Sequence, residues 1–261
     1  MASKLSLKLN NSNFLDFVSK MGDLTAIEDV VKIKIDKDNI LMYSMLSNDV
    51  SVLALKSYLL KTSDYFDNFD KEEIYDFIIT SATKFVKNLK FFNPQIPVKL
   101  DLTSRPMPED DNIQHIRAAQ FSNGKLKISC IGAEQHKIRD INKSTLESRL
   151  NLKNSKWSFK VSKEDFSDIK KLASINNEDK IININVTDGK VTMNETAKWE
   201  LEIDTIASKN TQLIFGKKYL SNINADEDYI QFSVFETFIL IKDENSNLML
   251  SFEQDFSTDD E

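Results

Sequence analysis

A chain of 261 residues that is 41% hydrophobic and 10% aromatic carries enough apolar material for one large or two ordinary domains with a sizeable core. Its formal net charge of −7 argues against a protein that coats nucleic acid indiscriminately, and leaves room only for a local positive strip on an acidic body. The single cysteine, Cys130, excludes an intrachain disulfide framework, and the opening MASKLSLKLNNSNF lacks the apolar run of a signal peptide or membrane span, so the chain reads as soluble and housed in a reducing compartment.

In chain order, LKLNNSNFLDFVSKM (7–21) predicts a strand, a polar cap at Asn11 or Ser12, and a short amphipathic helix around Phe14. VKIKIDKDNILM (31–42) then alternates as strand, turn, strand, with Lys37 and Asp38 in the turn. FIITSATKFVKNLKFF (77–92) repeats the strand, cap and helix grammar with Ser81 as the cap. Val98, Leu100 and Leu102 alternate again, and SRPMPEDDN (104–112) reads as a loop. KLKISCI (125–131) is a strand with Lys125, Lys127 and Ser129 on one face and Leu126, Ile128 and Cys130 on the other.

The polar stretch 132–156 breaks the alternation and reads as a linker, with a short helix near Ser144 to Leu150. Beyond it the grammar returns. FKVSKEDFSDIKKLA (159–173) predicts a strand and a helix capped by Ser162, with Phe166, Ile169 and Ala173 inward and Lys163 and Lys170 nearly opposite. IININVTDGKVTM (181–193) predicts a hairpin turning at Asp188-Gly189, and KWELEID (198–204) a strand with Glu200, Glu202 and Asp204 opposite Trp199, Leu201 and Ile203. LIFGKKYLSNI (213–223) is a fourth strand-to-helix unit, and Phe232, Val234 and Phe238 to Ile241 close the series as strands. Val31 and Ile182, and likewise Met42 and Met193, stand 151 residues apart (182 − 31, 193 − 42), which predicts a duplicated domain.

The expected organisation is therefore α+β: an N-terminal domain over 1–132, a linker over 133–154, and a C-terminal domain over 155–261 ending in an acidic tail. Lysines recur on the outer faces of the predicted helices: Lys20, Lys84, Lys87, Lys163, Lys170, Lys171, Lys217 and Lys218. If those helices share one surface, the lysines form a basic strip that contacts phosphates without reading bases. The opposite charges of the strands 125–131 and 198–204 suit cross-strand pairing between edges. No Walker loop, GxGxxG, HExxH or GxSxG is present, and His115 and His136, read as surface residues, have no partner at metal-ligand spacing. No catalytic residue, metal or cofactor is expected, and the chain reads as a non-enzyme.

The order of these elements resembles the DNA sliding clamps, the family that includes eukaryotic proliferating cell nuclear antigen and the clamps of tailed phages. The resemblance is clearest over 161–203, 211–223 and 230–256, where VSKEDFSDIKKLASINNEDKIININVTDGKVTMNETAKWELEI opens the second half. It implies a duplicated clamp fold with antiparallel sheets outside and two short helices per domain lining a bore for duplex DNA, closed as a homotrimeric ring. By position it implies bore contacts at Lys84, Lys87, Lys171 and Lys218, with Asp16 and Asp168 standing where the family often has a basic residue. It further implies that the strand with Lys125, Lys127 and Ile128 pairs with Trp199, Glu200, Leu201 and Glu202 of the next subunit. Met45, Leu150, Leu152, Trp157, Phe238 and Phe252 match a pocket for peptides of a DNA polymerase or clamp loader.

The function so implied is a polymerase processivity factor, sited in a cytoplasm (a host's, for a virus) or in a eukaryotic nucleus. Two other expectations are a monomeric processivity factor holding DNA on one basic face, and a β-rich virion or scaffold protein with no DNA role.

Overall fold

The computed structural model describes residues 3–48, 52–67, 69–108, 110, 112–134, 148, 155–175, 181–187, 190–193, 199–202, 211–216, 219, 223, 228–242 and 246–252. The chain divides into unit 1, Met1–Leu46 with Lys56–Ile141, and unit 2, Ser47–Leu55 with Asn142–Glu261. The short segment Ser47–Leu55 thus belongs with the second unit although it lies within the sequence of the first.

Unit 1 runs β1 (Ser3–Leu9), α1 (Asn11–Leu24), β2 (Val30–Ile35), β3 (Asn39–Ser47), β4 (Val52–Lys61, of which the part from Lys56 belongs to this unit), α2 (Thr62–Tyr65), β5 (Phe66–Asp67), β6 (Ile74–Thr80), α3 (Ala82–Leu89), β7 (Val98–Pro106), β8 (Ile113–Asn123) and β9 (Leu126–Ile131). β2 lies between β3 and β6, and β7 between β1 and β8, in antiparallel register. β8 meets β6 in parallel for three residues and carries β9 beyond them, antiparallel from Asn123↔Leu126 to Ala118↔Ile131. Gly132 ends β9: a Cβ there would lie 2.0 Å from the Ile116 carbonyl oxygen, so only glycine lets the chain approach β8 so closely.

The two longer helices of unit 1, α1 and α3, pack on this sheet. Phe14, Phe17, Val18, Met21 and Leu24 of α1, at the spacing of one helical face, join Phe85, Val86 and Leu89 of α3 in a single core with Leu7, Ile33, Phe77 and Leu100. Phe14 stacks on Phe92 with ring centroids 5.7 Å apart, and Phe85 meets Phe121 edge-on at 5.6 Å. The caps differ in part from expectation. The N-cap of α1 is Asn10, one residue before the expected Asn11, and its side chain accepts from the Ser12 N–H at 3.2 Å. Ser81 does precede α3, but in left-handed backbone (φ 57°) and without capping through its hydroxyl. Asp29 caps α3 instead, its Oδ1 accepting from Thr83 N–H at 2.7 Å and its carbonyl from Ala82 N–H at 3.2 Å.

Unit 2 contains β10 (Trp157–Ser162), α4 (Lys163–Ile175), β11 (Ile181–Thr187), β12 (Lys190–Met193), β13 (Trp199–Glu202), β14 (Thr211–Gly216), β15 (Tyr229–Val234), β16 (Phe238–Lys242) and β17 (Ser246–Ser251). β10, β15, β16 and β17 pair in that order, and β13, β12, β11 and β14 form a second sheet. Ser162 Oγ accepts from Asp165 N–H at 3.1 Å, the cap the sequence predicts. An aromatic file crosses the unit: Trp157 stacks on Phe159 at 5.6 Å, Phe159 on Phe232 at 4.9 Å, and Phe232 tilts against Phe166 of α4 at 6.1 Å.

The duplication shows in the register. Ile33 pairs with Met42 in unit 1, and Ile184 with Met193 in unit 2, so both members of the pair repeat at 151 residues (184 − 33, 193 − 42). In each unit the strand before the first helix pairs with the first strand of a later meander, β1 with β7 and β10 with β15.

Candidate nucleic-acid interface

The best-defined basic surface lies on α3. Phe85, Val86 and Leu89 are buried, while Lys84 and Lys87, about 60° apart at 100° per residue, point roughly opposite to them into solvent. Lys90, the C-cap residue, is exposed one step further. Among the described residues none of these three ammonium groups has a carboxylate within salt-bridge distance. Their charge is therefore available to a ligand.

α1 differs. Lys20 forms a close ion pair with Asp16 one turn earlier, and its Nζ sits 5.8 Å over the Tyr58 ring. Tyr65 donates its hydroxyl to the same Asp16 carboxylate, and burial followed by this hydrogen bond raises its pKa. The lysine expected on a DNA-facing strip is thus compensated within its own helix.

α4 gives a mixed result. Lys163 is exposed. Lys171 pairs with Asp168 at 2.9 Å. Lys170 does not lie opposite the core as predicted: four residues after Phe166, it stands about one turn along the same side. Its Nζ lies 5.3 Å over the Phe166 ring and donates to the Ile223 carbonyl at 3.3 Å. Lys217 and Lys218 lie outside the described residues.

The two strands expected to join subunits both have an open edge. β9 pairs only with β8, and β13 only with β12, among the described residues. Lys127 and Lys125 are exposed, Lys125 in the turn at Gly124 rather than in the strand, while Ile128 packs against the core. Ile131, on the Lys127 face, is 82% exposed. Trp199, Glu200, Leu201 and Glu202 make up β13, with Glu202 in register with Lys190.

Two of the expected pocket residues, Trp157 and Phe238, do not share one sheet face. Trp157 is in register with Val234, and Val234 with Ile239, so Phe238, next to Ile239, falls on the opposite sheet face from Trp157. Trp157 instead continues the aromatic file. Phe238 stacks on Phe235 at 4.3 Å, and the Phe252 N–H donates to the Thr237 carbonyl at 3.0 Å, which sets both half-buried phenylalanines beside one turn. Met45 is half-buried in unit 1, and Leu150 and Leu152 lie outside the described residues.

His115 corrects the sequence reading more sharply. It is 4% exposed rather than on the surface, and neither ring nitrogen finds a hydrogen-bond partner. It stands in a cross-strand row, Lys34, Asp76, His115 and Arg105, on β2, β6, β8 and β7. Burial first, then Arg105 and Arg117, lowers its pKa. His136 lies outside the described residues. No helix among the described residues is long and apolar enough to cross a membrane.

No family model matches the chain, and no curated protein sequence does. Solved structures do. The DNA polymerase III β subunit of Pseudomonas aeruginosa superposes with a TM-score of 0.65 at 10% identity, over 99% of this chain and 66% of its own. The proliferating cell nuclear antigen of Thermococcus kodakaraensis gives 0.61 at 15% identity, over 96% of this chain and 100% of its own. The Helicobacter pylori β clamp bound to a DNA ligase peptide gives 0.63 at 16%, over 95% and 65%. The chain thus spans about two-thirds of the length of these bacterial subunits and the whole length of the archaeal protein. Its fold is the DNA sliding clamp fold.

Proposed function

We propose that the chain is a subunit of a DNA sliding clamp, a non-enzymatic processivity factor that encircles duplex DNA and tethers a replicative polymerase. The carrying observation is the pair Lys84 and Lys87: exposed, free of carboxylates among the described residues, and held opposite a packed core on a helix of the clamp fold. Lys163 adds a second basic position, and Lys217 and Lys218 are proposed alongside it. A ring stays on DNA by linkage rather than affinity, so a few phosphate contacts and an acidic exterior are compatible with the role.

Three copies close the ring, each β9 with its Lys125 and Lys127 adding to the β13 of a neighbour with its Glu200 and Glu202. Two open edges of opposite charge support this closure. The match over the whole archaeal chain supports a two-unit subunit. Phe238 and Phe252 offer the apolar anchor for a partner peptide from a polymerase or clamp loader.

Light scattering across a range of concentrations tests closure. Three subunits of 30.0 kDa predict a species near three times that mass, and a species of one subunit mass throughout would overturn the ring. Loading on circular duplex DNA tests the bore: Lys84→Ala with Lys87→Ala lowers retention while leaving the mass unchanged, and unaltered retention would remove α3 from the DNA path.

A further inference from the structure

Two residues beyond the end of α3 stands an aromatic side chain that no packing requirement explains. Phe91 is 78% exposed, whereas its neighbour Phe92 is 3% exposed and stacks on Phe14. A single exposed apolar side chain is ordinary, so the ring gains meaning only from what holds it and what stands beside it. Phe91 is not exposed through slack. Its N–H donates to Asn88 O at 3.1 Å and the Phe92 N–H to Leu89 O at 3.0 Å. Just beyond, the 95%-buried Asn123 takes the Asn93 N–H at 2.8 Å and donates to the carbonyls of Asn93 at 3.1 Å and Ile96 at 2.7 Å. The backbone is tied on both sides of the ring.

Direction adds the second observation. Phe91 lies two residues past Leu89, where Lys90 keeps right-handed backbone (φ −65°, ψ −14°) and the winding of α3 continues into the turn, so Phe91, seven residues after Lys84 and four after Lys87, stays on roughly their side. An exposed aromatic therefore stands on the same face as two uncompensated lysines, with Lys90 beside it. Paired ammonium groups and a free ring are the combination that holds single-stranded nucleic acid: the charges track phosphates and the ring stacks on an unpaired base. A continuous duplex offers no base face to such a ring, because its bases are already stacked.

We infer that Phe91 is a base-stacking contact for single-stranded DNA, adjoining the duplex contact of Lys84 and Lys87. This rests on the reading of α3 as a nucleic-acid face. In a clamp it would act where the duplex ends, holding an unpaired base at the edge of the α3 contact.

The test uses the intact protein, with fluorescence anisotropy of a labelled oligo(dT) and of a blunt duplex of equal length at low salt. Phe91→Ala is expected to weaken oligo(dT) binding by about 5- to 150-fold, the range of one stacked base, and to leave the duplex within about twofold. Phe91→Trp should restore oligo(dT) binding. The exposed position makes both variants fold, which unchanged thermal melts verify. Lys84→Ala with Lys87→Ala should weaken both ligands. If the lysine variant weakens both while Phe91→Ala changes neither, the stacking site falls and the α3 nucleic-acid face stands. If neither variant changes either affinity, both readings fall. An equal loss of both ligands in Phe91→Ala, with no rescue by tryptophan, would also overturn the assignment.

Discussion

His115 gives a prediction whose sign and size follow from its place in the sheet. The ring is 4% exposed, both nitrogens are unpartnered, and Arg105 and Arg117 reinforce the burial that depresses its pKa, against a smaller opposing effect of Glu134. Asp76, its cross-strand neighbour, has Oδ2 4.0 Å from Lys34 Nζ. A folded-state pKa below the unfolded value of 6.5 means that the stabilising contribution is present above that value and is lost as pH falls through it. If the native ring stays neutral, lowering pH from about 7.5 to about 5.5 costs up to about 1.4 kcal/mol, because one plus the unfolded protonated-to-neutral ratio rises about tenfold, from about 1.1 to about 11. Replacing His115 by Leu removes the titrating group and both orphaned nitrogens at similar volume. Urea unfolding followed by circular dichroism at the two pH values should then show the parent losing more than His115→Leu, by up to about 1.4 kcal/mol. Both tryptophans belong to unit 2, which makes circular dichroism the better probe of this unit 1 site. Equal losses in the two proteins would refute the reasoning.

Asp29→Ala removes the acceptor of the Thr83 N–H and should cost roughly 0.5–2 kcal/mol in a thermal or urea melt. Gly132→Ala forces a Cβ against the Ile116 carbonyl; a loss of roughly 1–3 kcal/mol is expected, with weaker self-association on light scattering because β9 shifts. Asp16→Asn releases Lys20 from its ion pair, and the salt dependence of duplex binding should steepen by up to about 0.9 per freed phosphate contact. Burial pushes the Cys130 thiol up to about 12, against a weaker opposing backbone hydrogen bond at Ala119, so a thiol reagent at mildly alkaline pH should label the folded protein at least about a hundredfold more slowly than the urea-unfolded one.

Strands with one wet face were readable in the sequence because burial and exposure alternate along them. β7, with every second residue from Val98 to Ser104 buried, is the plainest case. β4 escaped because Ala54 to Tyr58 are all buried, Lys56 among them, and a strand covered on both faces has no period-two signature. The same burial on the second sheet face hid His115, whose neighbours in sequence give no sign of the strands on either side. Asp29 as the cap of α3 was equally invisible, since the contact spans 54 residues and local rules point to Ser81. Lys20 and Lys171 were different. Asp16 and Asp168 stand at the four- and three-residue spacings that place side chains together on a helix, so their compensation was written in the sequence. The exposure of Phe91 was also legible in principle, because Phe85, Leu89 and Phe92 keep the helical period and Phe91 falls outside it.

The pairing of lysines with nearby carboxylates explains how an acidic chain can present a selective basic surface. Exposed charges separated by more than a Debye length, about 8 Å at physiological ionic strength, are largely screened from one another. The total of −7 therefore says little about the field felt by a phosphate at Lys84, and the carboxylates within a few ångströms of each lysine say much more. On that criterion α1 and α4 are muted by Asp16 and Asp168, whereas Lys84 and Lys87 of α3 act at full charge among the described residues. A ring built from such subunits would meet DNA at a few strong points separated by weak ones. Such contacts read no bases, and a sequence-independent electrostatic attraction is what permits sliding along DNA.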